Sequence, residues 1–105
     1  MKKPYEITYL PTARKDVFDL MLYIADQLHA PDSALRIVDA IDESVERLAT
    51  FPYAYPTYRT IKPLATEYRM VPVENYNVFY TVLEDEKTVE IHRVLYAKMD
   101  VTKKL

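Results

Sequence analysis

Tyr76-Asn77-Val78-Phe79-Tyr80-Thr81-Val82-Leu83-Glu84-Asp85-Glu86-Lys87-Thr88-Val89-Glu90-Ile91-His92-Arg93-Val94-Leu95-Tyr96 is the stretch on which the fold turns. Two runs rich in β-branched and aromatic residues, Tyr76 to Leu83 and Thr88 to Tyr96, flank the polar Glu84 to Lys87. This pattern predicts adjacent strands joined by a turn. Upstream, Glu67 to Val73 reads as a third strand, linked to Tyr76 by a tight turn at Glu74-Asn75. Pro72 has no N–H to give a ladder, so pairing weakens near that strand's end. Alternation assigns Tyr68, Met70, Val78, Tyr80, Val82, Val89 and Ile91 to a covered face. Arg69, Val71, Asn77, Phe79, Thr81, Glu90 and His92 fall on the opposite face. Strict alternation sends Arg93 into the core, which requires either a bulge nearby or a guanidinium that reaches water at the sheet's end.

Further upstream the period changes from two to helical. Val17, Leu20, Met21, Ile24 and Leu28 recur at helical spacing between Ala13 and Leu28, and Phe18, Leu22 and Ala25 widen the stripe past half the circumference. An arc this wide needs cover from two directions. Pro31 opens a second helix with Asp32 and Ser33 in its first turn, where acidic and capping groups are favourable. Its narrower stripe runs through Ala34, Ile37, Val38, Ile41, Val45 and Leu48. The link between the two helices is short, so they must fold back as a hairpin. Tyr5 to Leu10 alternates as a first strand. The expected fold is therefore α+β, in the order β-α-α-β-β-β, with a helix hairpin packed on a small antiparallel sheet.

The 105 residues suit one domain spanning 1–105. With no cysteine, disulfides and thiol chemistry drop out, and a cytoplasmic location is expected. His29 and His92 lack metal-site spacing, so no metal and no cofactor is expected. No apolar run reaches the roughly 20 residues of a membrane span. Net charge is −2, with six Lys+Arg against nine Asp+Glu through residue 55 and eight against seven beyond it. A nucleic-acid binder usually carries a basic surplus, which is missing here. Glycine is absent too, so positive-φ turn positions are expected to fall to Asn and Asp. Most of the ten tyrosines read as core and sheet-face residues.

Several segments, in order and over nearly the whole length, resemble the RelE/ParE toxin superfamily. They are Tyr9-Leu10-Pro11-Thr12-Ala13 with Asp16, Tyr23-Ile24-Ala25, Leu48-Ala49-Thr50-Phe51-Pro52, Tyr68-Arg69, Asn75-Tyr76-Asn77-Val78-Phe79-Tyr80, and Val89-Glu90-Ile91-His92-Arg93-Val94-Leu95-Tyr96. The resemblance implies a bacterial toxin of a type II toxin–antitoxin system, neutralised by a cognate antitoxin protein. It leaves two modes of action open. One is metal-free cleavage of mRNA on the ribosome; the other is inhibition of DNA gyrase by binding.

RNA cleavage through the 2′-hydroxyl needs a base, an acid and cations set against developing phosphorane charge. The resemblance assigns those roles to Lys and Arg on the open sheet face and near the end of the last strand. Arg69 fits one such position, but Val71, Asn77 and Met99 stand at three others, with Lys98 adjacent to the last. Some relatives use histidine and tyrosine, and Arg69, His92 and Tyr96 would form a sparse catalytic set of that kind. Gyrase inhibition needs only a surface, so the missing cations favour it over the nuclease, with a degenerate, non-toxic relative as the remaining alternative. The tail lysines Lys98, Lys103 and Lys104 are candidates for target contact, and Phe18 and Leu22 on the first helix for antitoxin contact.

Overall fold

The computed structural model describes residues 4–58, 66–99 and 104–105. The elements follow the expected order. Strand β1 (Glu6–Tyr9) leads into α1 (Pro11–Leu22), a π-helical turn (Tyr23–Gln27) and α2 (Pro31–Arg47). Strands β2 (Arg69–Val73), β3 (Tyr76–Leu83) and β4 (Thr88–Tyr96) complete the sheet, whose spatial order is β1-β4-β3-β2. The β2–β3 and β3–β4 pairs are antiparallel, as hairpin connections require. β1 joins β4 in parallel, so the sheet is mixed rather than wholly antiparallel. No hairpin constrains that pair. The two helices, the aromatic loop Phe51-Pro52-Tyr53-Ala54-Tyr55-Pro56 and strands β2 and β3 intervene, and β1 is free to enter in the direction that feeds α1 back over the sheet.

One face of the sheet meets the helices. Ala13, Leu20 and Ile24 of the first helical segment and Ala34, Ile41 and Val45 of α2 pack with Val71, Val73, Val78, Tyr80, Val89, Ile91 and Val94. Tyr80 is fully buried there, and its hydroxyl donates to the Pro52 carbonyl at 2.8 Å, which satisfies the polar tip. The other face carries a smaller cluster of Tyr68, Phe79 and Leu95, flanked by Tyr58, Met70 and Leu105.

These faces correct the expected assignment for β2. The two-residue turn at Glu74-Asn75 pairs Val73 with Tyr76 and Val71 with Val78, so the valines and Arg69 face the helices. Tyr68 and Met70 fall on the far side, where Phe79 gives them apolar cover. Burial on both faces removes the clean contrast from which alternation is read.

The left-handed positions also depart from expectation. Among the described residues they are His29, Glu74 and Lys87, with φ of 51°, 55° and 50°, and none is Asn or Asp. Each closes one chain reversal. Side-chain partners hold two of them. Glu74 pairs with Arg36 of α2 at 2.8 Å, and Lys87 pairs with Glu84 and lies over the Tyr5 ring. Glu74 takes the first central turn position, where II′ turns normally carry glycine.

The first helix loosens before it ends. Leu28 N–H donates to the Tyr23 carbonyl five residues back, at 3.2 Å, and this widened turn leaves Tyr23 and Leu28 exposed. A left-handed conformation costs an L-residue about 1–2 kcal/mol. Glycine at position 29 relieves that cost but adds chain entropy to the unfolded state. His29→Gly is therefore expected to stabilise the fold by about 0.5–1 kcal/mol, a rise in Tm of about 3–6 °C by circular dichroism. An unchanged or lower Tm would show that position 29 is not strained.

Candidate functional site

The β4 bulge sets the geometry of the site. Tyr80 pairs with Ile91 but Phe79 pairs with Arg93, so His92 is the extra residue and the register slips by one. Of the two arrangements that the position of Arg93 allowed, the bulge is the one present. Arg93 is taken off the core face and pairs with Phe79, while His92 keeps the place that alternation gives it, on the face away from the helices. There Nε2 lies 3.0 Å from Thr81 Oγ1 and 3.7 Å from Glu90 Oε1, and the ring meets Tyr68 edge-on at 5.2 Å. Burial pushes the imidazole pKa below its usual value, with Glu90 opposing, so the ring is held neutral at physiological pH.

Arg93 reaches past the end of β1, where β4 is left without that neighbour, to α1. Its Nε and Nη2 donate to Asp16 Oδ2 and Oδ1 at 2.7 and 2.9 Å, a bidentate fork. The same carboxylate accepts the Val94 N–H at 3.0 Å, and Arg93 Nη1 donates to the Lys104 carbonyl at 3.2 Å. Asp16 thus replaces β1 at the point where β4 outruns it.

The sequence-derived catalytic candidates do not come together. Arg69 lies on the helix side of the sheet, with Nη1 donating to the Tyr55 carbonyl at 2.6 Å and the guanidinium 4.9 Å from the Tyr53 ring centre. His92 lies on the opposite face. Tyr96 stands at the end of β4, partly exposed and edge-on to Tyr76 at 5.9 Å. Of the tail lysines, Lys98 and Lys104 are exposed, and Lys103 lies outside the described residues. Phe18 and Leu22 are on the surface of α1, 55% and 42% exposed.

Two features escaped the sequence reading. One is an open groove of about 960 Å³ between the first helix and the end of β4, walled by Leu20, Tyr23, Leu28, Tyr76, Tyr96 and Met99, with the Asp16–Arg93 pair at its rim. Two of its walls, Tyr23 and Leu28, belong to the π-helical turn and its C-terminal cap, for which the sequence carries no signal. The other is a polar knot between three distant segments. Tyr5 and Tyr53 both donate to Glu84 Oε1 at 2.6 Å, and Lys87 binds the second oxygen. These donors, Lys87 foremost, hold the Glu84 carboxyl at about 2. No group of three His, Cys, Asp or Glu among the described residues is placed to hold a metal ion, and no described helix is long and apolar enough to cross a membrane.

The profile of the ParE toxin of type II toxin–antitoxin (parDE) systems matches residues 7–101. The chain belongs to the ParE toxin family. Solved structures agree on the ParE/RelE fold. The RelBE2 toxin–antitoxin complex from Mycobacterium tuberculosis is similar at a TM-score of 0.64 and 24% identity, over 89% of this chain and 98% of that one. The chromosomal ParDE system from P. aeruginosa gives 0.72 and 19%, over 90% and 97%. No curated protein matches by sequence.

Two outcomes follow for this ParE-family chain. Asp16 and Arg93 are only 12% and 20% exposed, so Asp16→Ala leaves a half-buried guanidinium and the Val94 N–H unpartnered. The expected loss is about 2–4 kcal/mol, a fall in Tm of about 10–20 °C; a fall below about 3 °C would contradict the role given to Asp16. For Glu84, the folded pKa lies below the ordinary carboxyl value. Its contribution is therefore complete above pH 4.5 and is lost as pH falls toward about 2. Glu84→Gln is expected to flatten the Tm-against-pH curve in that window, and parallel curves would remove the knot from the acid response.

Proposed function

We propose that this toxin-family chain is a ParE-like growth inhibitor: a single cytoplasmic domain that blocks DNA gyrase by binding it and is silenced by a cognate antitoxin. The observation that carries the reading is the scattering of the groups that RNA cleavage would need. Arg69 is engaged by the aromatic loop on one face, His92 sits on the other, and Tyr96 stands apart at the end of β4, edge-on to Tyr76. Of the remaining positions where the resemblance asks for cations, Val71 is buried and apolar and Met99 is uncharged. Inhibition by surface contact is indifferent to all of this. Lys98, Lys103 and Lys104 are the residues proposed for target contact, and Phe18 and Leu22 those for the antitoxin.

His92 is the feature that favours the alternative, a RelE-like ribosome-dependent mRNA endonuclease, because a neutral imidazole is a competent general base. The test separates the two. The toxin is expressed from a tight promoter without its antitoxin, and incorporation of labelled thymidine and amino acids is followed over the first minutes. The purified protein is assayed in parallel against gyrase supercoiling. Thymidine incorporation is expected to fall first, supercoiling to be inhibited, and His92→Gln to remain toxic. Collapse of amino-acid incorporation first, with toxicity abolished by His92→Gln, would overturn the gyrase reading in favour of the nuclease.

A further inference from the structure

The polar knot at Glu84 shapes a second groove, made of residues that neither the target contact nor the antitoxin contact uses. Tyr5 comes from just before β1, Tyr53 from the aromatic loop and Glu84 from the turn between β3 and β4. Both tyrosine hydroxyls donate to the same oxygen, Glu84 Oε1, at 2.6 Å. Two rings that converge on one atom from separate segments narrow toward it like the sides of a wedge. Together with Pro4, Phe51 and Pro52 they line a groove of about 760 Å³, to which Glu84 and Lys87 also contribute. Phe51 is 64% exposed and Tyr53 49%, so this aromatic surface faces water.

The walls are already held and their polar groups are spent. Lys87 Nζ lies 5.1 Å from the Tyr5 ring centre, and the Arg69 guanidinium 4.9 Å from that of Tyr53. Both hydroxyls are committed to Glu84, whose second oxygen binds Lys87. A ligand settling here costs these rings little rotamer freedom, and it meets ring surface rather than open hydrogen-bond partners.

These conditions select the form of the occupant. Strand addition is closed at this point, because the Tyr5 N–H is given to the Ala49 carbonyl and the Glu6 N–H to the Lys87 carbonyl. A helix is about 10–12 Å across, too broad for a wedge that narrows to one oxygen. Polyproline II is slender, keeps no internal hydrogen bonds, and its prolines have no N–H to satisfy. Its pyrrolidine rings pack on aromatic walls of this kind. Charge selects the flank. Asp85 and Glu86 lie between the groove residues Glu84 and Lys87, are exposed, and have no ion-pair partner among the described residues. Lys87 matches the Glu84 charge, so Asp85 and Glu86 carry the surplus.

We propose that this groove binds an extended, proline-rich segment of a partner protein, with prolines against Tyr5, Phe51 and Tyr53 and a Lys or Arg beyond them facing Asp85 and Glu86. The site shares no residue with the gyrase and antitoxin contacts proposed above, so it stands or falls apart from them.

The test titrates the isotope-labelled full chain with a blocked peptide of six prolines carrying an arginine at each end, and follows backbone amide shifts by NMR. Saturable shifts are expected at Tyr5, Thr50, Phe51, Tyr53 and Glu84 to Lys87, half-maximal below about 1 mM peptide. Phe51→Ser is expected to weaken binding about 10-fold or more. Asp85→Lys with Glu86→Lys is expected to weaken it about 10-fold at ~0.05 M salt and far less at ~0.5 M. Both variants should keep the wild-type Tm, since the altered side chains are exposed. A control peptide with the same arginines and alternating glycine and serine between them should bind about 10-fold more weakly or worse. Equal binding of that control would reduce the contact to charge alone and overturn the proposal. Shifts that avoid the groove, or full affinity in the folded Phe51→Ser variant, would overturn it as well.

Discussion

One carboxylate holds the two layers of this protein in register. β4 is nine residues long and its neighbour β1 only four, so β4 continues alone past Ile91. A free strand edge needs partners for its backbone groups. Asp16, one turn into α1, supplies one by accepting the Val94 N–H, and with the same two oxygens it grips Arg93. The pair explains why Arg93 tolerates a place beside the core. It also explains why the first helix descends where it does, because a shift of one turn would leave both the guanidinium and the N–H without an acceptor. Arg93 in turn reaches the Lys104 carbonyl, so the C-terminal residues are tied to the same point.

The bulge at His92 is the companion constraint. By adding one residue to β4 it lets Ile91 and Val94, three apart, both face the helices. It also separates two neighbours of opposite role, with His92 toward Thr81 and Tyr68 and Arg93 toward Asp16. A nuclease set on this framework needs its acid, base and cations converging on one phosphate. Here the candidates are divided between two faces and spent on internal partners. The surface, by contrast, keeps exposed aromatic and aliphatic groups on α1, α2 and the aromatic loop, which is what a protein acting through contacts requires.

Much of the fold was legible in the sequence. β3 and β4 match their expected limits to the residue, because composition and turn chemistry agree there. Pro31 marks the first residue of α2, as its fixed φ favours. Where neighbours override local preference, legibility fails. β2 presents the opposite face because its register is set by the turn and both faces are buried. The left-handed residues are Glu and Lys rather than Asn or Asp because ion pairs to Arg36 and Glu84 hold them. The parallel entry of β1 and the π-helical turn depend on contacts between distant segments. At the candidate site, the anomaly at Arg93 was visible and its cause was not, since Asp16 lies 77 residues away. The family was readable from the order of many weak segments, whereas the division of Arg69 and His92 between faces needed coordinates.

We propose that this ParE-family chain acts by contact and cuts no RNA. The most direct test is a purified translation system programmed with one defined mRNA, to which the purified toxin is added and from which the message is recovered and mapped by primer extension. The account predicts an intact message and undiminished translation at toxin concentrations that inhibit gyrase. Discrete cuts within the translated region, appearing only when ribosomes are engaged, would contradict it.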